Sequence, residues 1–219
     1  MTPATTPRST WGGAGARPLG PVVIPAAGAG IRLGGRAKAL MTLPDGASFL
    51  ARIVTTAAAA GLAPAIVVVG APYAEAVAHA AHALDARVVV NDDAHLGMGS
   101  SIAVGFAAAL ADAGEDDAAC AGLWPVDHPQ VLAATVASLL HVYARSGADA
   151  VIPTYFARGG HPVIVARRLW VPLTGAGRAP AGARSILATA RCERVAVLDA
   201  GVVRDIDRPE DVVALQGRA

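Results

Sequence analysis

The chain has almost no excess charge, very little cysteine and no apolar run long enough to cross a membrane. Its 219 residues carry 18 Lys and Arg against 17 Asp and Glu. A nucleic-acid partner calls for a clustered basic face, and this balance recommends none. Cys120 and Cys192 lie far apart, each beside an apolar strand-like stretch. They read as reduced thiols and not as a disulfide framework. Residues 57–72 are apolar but interrupted by Gly61, Pro64 and Gly70. The run is shorter than the roughly 20 residues of a membrane span. Residues 1–20 are rich in Thr, Pro, Gly and Arg and lack the apolar centre of a secretory signal. They read as a disordered tail, with 21–219 as one domain. The expectation is a soluble, cytoplasmic protein that binds neither membrane nor nucleic acid.

Apolar residues make up 54% of the chain, enough for a large core. From residue 21 onward, strand-like and helix-like segments alternate. Strands are expected at 22–26, 65–69, 87–90, 119–126, 150–152, 162–166 and 194–198. Helices are expected at 48–60, with Ser48 as N-cap, and at 72–84, 100–111, 129–145 and 209–215. Pro129 suits a first helical turn. Such alternation predicts an α/β fold, a mostly parallel sheet flanked by helices. Ligands of these sheets sit at the carboxyl ends of strands. A loop after strand one, Asn91 after strand three and Asp127 after strand four therefore share one edge. Segment 174–183, rich in Gly and Ala, is expected as a flexible lid over an acceptor.

The loop after strand one is the most informative stretch: Ala26, Ala27, Gly28, Ala29, Gly30, Ile31, Arg32, Leu33, Gly34, Gly35, Arg36, Ala37, Lys38. Glycines let backbone N–H groups approach an anion closely, and Arg32 and Lys38 add two cations. A polyphosphate is the natural guest. The loop lacks the Gly-Lys-Ser/Thr core of a P-loop, because Ala37 and Ala39 flank Lys38. It also lacks the third glycine of a dinucleotide fingerprint, where Leu33 stands.

The loop resembles instead the signature of the MobA-like nucleotidyltransferases, L-A-A-G-x-G-x-R-x-G followed by Lys, with Pro25 in place of the usual Leu. Four later segments resemble the same family. Trp124-Pro125-Val126-Asp127-His128-Pro129 is similar to its D-x-P motif, although Val126 and His128 depart from the common form. Asp205-Ile206-Asp207-Arg208-Pro209-Glu210-Asp211 is similar to D-I-D-T-P-E-D, with Arg208 for Thr. Asn91 with Gly97-Met98-Gly99-Ser100-Ser101 is similar to N-x-x-x-x-x-G-M-x-x-S. Gly160-His161-Pro162 matches G-H-P.

The resemblance implies a Rossmann-like nucleotidyltransferase fold and transfer of a nucleoside monophosphate to a phosphorylated acceptor, with release of pyrophosphate. It implies Mg²⁺ held by Asp127 and Asp207. Ala26 to Gly30, Arg32, Lys38, Asn91, Gly97, Met98, Ser100 and Ser101 would bind the nucleotide. Arg32, Lys38 and Asp127 would act in catalysis. His128, Gly160 and His161 would face the acceptor. From local sequence alone, Asp127 and Asp207 serve equally well as helix caps, and both readings stay open. Asp205 is a weaker ligand candidate, and Glu210 and Asp211 suit a first helical turn. Asp92 and Asp93 read as a solvated acidic turn. His79 and His82, three apart on a helix, read as surface residues.

An acceptor phosphate is already ionised at neutral pH, so the reaction needs positioning and charge neutralisation more than a general base. That agrees with the absence of an obvious Ser-His-Asp set. Ala27 and the Gly97–Ser101 segment are similar to the cytidylyl branch of the family. This implies CTP, before another NTP, as donor and a molybdopterin-type acceptor (the molybdenum cofactor). A molybdoenzyme of the xanthine dehydrogenase type then becomes a partner. Two other classes stay open: an oxidoreductase using a nicotinamide cofactor on this scaffold, and a non-catalytic carrier of molybdenum cofactor.

Overall fold

The computed structural model describes residues 19–114 and 118–216. Apart from Leu19 and Gly20, the tail expected over 1–20 lies outside the described residues. Gly20 is already strand, and the Leu19 amide donates to the Gly61 carbonyl at 3.0 Å.

The order of elements is β1 (Gly20–Pro25), α1 (Phe49–Ala60), β2 (Leu62–Val69), α2 (Ala74–His82), β3 (Arg87–Val90), α3 (Met98–Asp112), β4 (Cys120–Leu123) and α4 (Ala133–Ser146). There follow β5 (Ala150–Tyr155), β6 (Arg158–Gly159), β7 (Val163–Ala166), the short α5 (Trp170–Leu173) and α6 (Ala183–Leu187), β8 (Cys192–Ala196) and α7 (Pro209–Gln216). The strands form one sheet in the order β3-β2-β1-β4-β7-β5-β6, with β8 also paired to β5. β1, β2, β3 and β4 are mutually parallel, and β8 is parallel to β5. β7 lies antiparallel to both β4 and β5, and β6 antiparallel to β5. The sheet is thus mostly parallel, as the alternation of elements predicts.

Successive strand residues face opposite sides of a sheet, and here both sides are covered. Val22, Ile24, Val67 and Val69 pack with Phe49, Leu50 and Ile53 of α1, Val77 of α2 and Leu139 of α4. Val23, Ile66 and Val68 face the other way, onto Ile102 and Phe106 of α3 and Trp170 of α5. A Cβ on Gly105 would meet Val23 Cγ1 at 2.4 Å, so this glycine lets α3 lie tight against the sheet. Among the described residues, no helix is long and apolar enough to cross a membrane. Both cysteines are free; burial pushes the Cys120 thiol up to about 12.

Three local expectations change. β4 stops at Leu123, although residues 124–126 keep company with β1: the Trp124 amide donates to Val23 O at 2.9 Å and that of Val126 to Pro25 O at 3.2 Å. Helix α4 starts at Ala133 and not at Pro129. Asp199 sets that start, accepting from the Leu132 amide at 2.9 Å and the Thr135 hydroxyl at 2.7 Å. The 174–183 segment is seated, not free. Ala176 is buried, and its carbonyl lies 2.7 Å from where a Cβ on Gly99 would stand. Small residues on both sides let this segment rest on the start of α3.

Candidate active site

The loop after β1 is held at both ends. The Ala26 amide donates to Val68 O at 2.8 Å, which keeps the chain beside β2 as it leaves the strand. Gly30 then takes a left-handed conformation, φ 58°, and its carbonyl accepts from the amides of Leu33 at 2.8 Å and Gly35 at 3.1 Å. A Cβ there would meet Arg36 O at 1.9 Å, so only glycine fits. Leu33 occupies the place of a third fingerprint glycine because it is a buried anchor for this turn. Gly28 differs: a Cβ on it would meet nothing within 4 Å. The protein itself does not demand glycine there. The open space belongs to a cleft lined by Gly28, Ala27, Lys38, Met98, Ser101 and Asp127 among others.

Asp127 and Asp207 are 80 positions apart in sequence and meet at this cleft. One backbone hydrogen bond registers them, from the Ile206 amide to Asp127 O at 2.9 Å. Ile206 is fully buried, which fixes the segment, while Asp205 beside it is exposed. Lys38 Nζ bridges the two carboxylates, 3.3 Å from Asp127 Oδ2 and hydrogen-bonded to Asp207 Oδ1. Arg32 reaches the other oxygen of Asp207 at 3.3 Å. The hydrogen bond from Lys38, reinforced by the charges of Lys38 and Arg32, holds the Asp207 carboxyl below the usual carboxylate range.

Neither aspartate caps a helix. Asp199 supplies the cap of α4, and Asp211 turns back to accept from the amides of Asp207 at 3.0 Å and Arg208 at 2.8 Å. Asp127 Oδ1 is buried and, among the described residues, has no hydrogen-bond partner; His128 Nε2 stands 3.7 Å away. A buried carboxylate oxygen left bare beside a second carboxylate suits a hard divalent cation. Among the described residues, no three His, Cys, Asp or Glu side chains gather as a metal site. Such an ion would therefore complete its shell with water and ligand oxygens, as Mg²⁺ commonly does with substrate phosphates.

Other residues singled out by sequence fall into two groups. Gly97, Met98 and Ser101 line the cleft from the start of α3. Asn91 and Ser100 stand behind it, buried. The Asn91 amide donates to the hydroxyls of Ser100 and Ser101, both at 2.9 Å, and its oxygen accepts from the Asp93 amide at 3.0 Å. Ser100 in turn donates within the loop, towards Asp93 O at 2.9 Å and Gly97 O at 2.8 Å. This network braces the loop that carries Gly97 and Met98. Ala26 is buried at the strand end, and Ala29 lies on the loop between the two glycines without lining the cleft. Asp92, Asp93, His79 and His82 are exposed.

The two histidines expected to face an acceptor come together, with the rings of His128 and His161 5.0 Å apart. Burial, with the nearby charges of His128 and Arg184, pushes the His161 imidazole down to about 3. It is neutral at physiological pH and offers a hydrogen bond and a ring face, not a positive charge. Gly160 backs onto the chain: a Cβ there would meet Val202 O at 2.0 Å. Pro25, Ala94, Pro125 and Val126 also line the cleft. Apolar wall residues of this kind carry no chemical signature in a sequence. Their one signal is position, next to the loop and the Asp127 segment.

The model of the MobA-like NTP transferase domain matches residues 22–195, and the chain belongs to that family. It is a nucleotidyltransferase by family and fold. Rv0371c from Mycobacterium tuberculosis H37Rv is similar in structure, with a TM-score of 0.71 and 24% identity over 92% of this chain and 99% of that one. The same protein is also solved as a complex with manganese, at TM-score 0.68 and 23% identity over 92% of this chain and 100% of that one. A homolog of it from mycobacterium sp. strain JC1 is 27% identical, with TM-score 0.71, over 93% and 98% of the two chains. No curated protein matches the sequence.

Proposed function

We propose that the protein transfers CMP from CTP to the phosphate of a molybdopterin-type acceptor, the molybdenum cofactor, and releases pyrophosphate. The observation that carries this reading is the convergence of Asp127 and Asp207 on one cation at the mouth of a glycine-loop cleft. Bound there, Mg²⁺ would neutralise phosphate charge and polarise the bond that breaks. The manganese complex of Rv0371c supports a divalent metal on this scaffold.

The chain's own residues supply the rest. Amides of the open Gly28 segment and the cations Lys38 and Arg32 hold the β- and γ-phosphates as the leaving group gains charge. Fixed donors aimed at developing charge act without reorganisation and lower the barrier most. The acceptor phosphate attacks the α-phosphorus in line and needs no base. Neutral His161, with His128 beside it, orients the acceptor by hydrogen bonding and ring contact. Trp170 belongs to the core that packs on α3, with Arg167 over its ring, and neither takes part.

Ala27 favours the pyrimidine donor. Ala27 lines the cleft with its methyl close to Gly70, so a glycine in its place would loosen this corner of the wall. The test is pyrophosphate release with each NTP, Mg²⁺ and molybdenum cofactor. Turnover should be fastest with CTP; equal or faster turnover of GTP overturns the donor assignment. Hydride transfer to a nicotinamide cofactor, or cofactor binding without pyrophosphate, would replace the transferase reading.

A further inference from the structure

Lys38 is the only lysine in the chain. Its ammonium does not sit free in the phosphate loop. It is engaged with both carboxylates, and its side chain is only 15% exposed. Arg32, the other cation of the loop, is 72% exposed, and among the described residues it pairs with Asp207. An exposed ion pair is weak and easily exchanged with water, but this trio is largely sheltered. Lys38 therefore holds the point that both carboxylates face, while also lining the cleft beside Gly28.

A divalent cation on Asp127 and Asp207 needs the same oxygens. An ammonium and a metal ion cannot both be in contact with them, since like charges at that spacing repel strongly. Phosphates in the cleft offer the ammonium a second set of acceptors. We propose that Lys38 is a placeholder for the divalent cation, bridging Asp127 and Asp207 until metal and nucleotide load together and then changing partners from the carboxylates to the phosphates. This inference rests on the reading of the cleft as a metal–nucleotide site.

The exchange couples the two ligands. Metal alone must expel an ammonium that has nowhere better to go. Nucleotide alone must draw Lys38 away from two carboxylates and leave them unpaired. Together, each ligand removes the cost of the other, which is positive coupling through one side chain. The bare Asp127 Oδ1 is consistent with this state, because a single ammonium cannot satisfy every oxygen that a metal would.

Two measurements on the full chain decide it. In a nucleotide-free Mn²⁺ titration followed by electron paramagnetic resonance, Lys38→Met should bind Mn²⁺ at least fivefold more tightly than wild type. The gain in Mn²⁺ affinity caused by CTP should shrink by the same factor or more. An unchanged nucleotide-free affinity overturns the proposal. The second measurement uses wild type only, so it stands even if the variant misfolds. Trace acylation with acetic anhydride and peptide mass mapping reads Lys38 without interference from another lysine. Mn²⁺ alone should raise its modification rate about threefold or more, and Mn²⁺ with CTP should lower it below the metal-free rate. A rate indifferent to Mn²⁺ refutes the exchange. Neither metal-only readout requires turnover, so a failed transferase assay and a failed exchange remain separate results.

Discussion

Two walls that meet at Asp127 differ in charge: Lys38 and Asp127 line the cleft, and His128 stands next to Asp127 outside that lining. Lys38, Asp127 and Asp207, with Arg32 at the rim, gather beyond the ends of β1 and β4. Beyond Asp127, His128 and His161 face each other, and His161 is neutral. The charged wall is assembled by tertiary bonds and can neutralise phosphate. The histidine wall is assembled by burial and can select shape. Breaking the first should cost rate, and altering the second should cost acceptor fit and acid stability.

The largest effects belong to the charged wall. Asp127→Asn and Asp207→Asn should each lower pyrophosphate release about a thousandfold or more, on the order of 4 kcal/mol of lost transition-state stabilisation. Circular dichroism should show the fold intact, since neither side chain caps a helix. Retention of most activity by either variant would mean that the pair only anchors Lys38.

Lys38→Ala comes next. A preorganised cation at a leaving group is worth on the order of 3 kcal/mol, or roughly a hundredfold in rate. Both kcat and the KM for CTP should change, because Lys38 would contact the nucleotide before and during transfer. A solvated loop residue would instead shift stability by less than about 0.5 kcal/mol and leave both constants alone.

His161 separates the two walls by pH. Its folded pKa, about 3, lies below the ordinary 6.5. Between those values the unfolded chain binds the extra proton, so stability falls as pH drops through 6.5 and continues to fall towards 3. The penalty at pH 5 is on the order of 1–2 kcal/mol relative to pH 7.5. Thermal melts of wild type and His161→Asn at both pH values should show this loss only in wild type. Equal losses would mean that the imidazole is readily protonated in the fold. Asp207, held low, acts in the opposite sense: its contribution is present above the ordinary carboxylate range and fades below it.

The smallest effect is expected at Ala27. Ala27→Gly removes one methyl from a residue that lines the cleft and should shift discrimination by about 3- to 10-fold. The ratio of kcat/KM for GTP over CTP should rise by that factor. A falling ratio would show that the methyl does not limit the base pocket.

The contrast between walls also marks what the sequence discloses. Strands β2 and β3 are legible because their Val and Ile runs end at Gly70 and Asn91, and β1 because its run opens through Pro25 into the Gly-rich loop. Ser48 caps α1 as its position suggests, accepting from the Ala51 amide at 3.1 Å. Pro129 misleads because Asp199, 70 positions later, decides where α4 begins. The 174–183 segment misleads because glycine there permits close packing on Gly99 and Ser100, and composition alone reads that as freedom. The meeting of Asp127 with Asp207 depends on the Ile206 bond across the fold, which no local spacing encodes. Family resemblance names the pair, and geometry shows Lys38 between them.

The most direct test of the transferase reading is acceptor-dependent pyrophosphate release from CTP by the wild-type chain, with Mg²⁺ and molybdenum cofactor present. The expected result is stoichiometric release, abolished when the cofactor or Mg²⁺ is left out, with cytidine monophosphate recovered on the cofactor. Absence of pyrophosphate with all four NTPs, or release that ignores the acceptor, would contradict it.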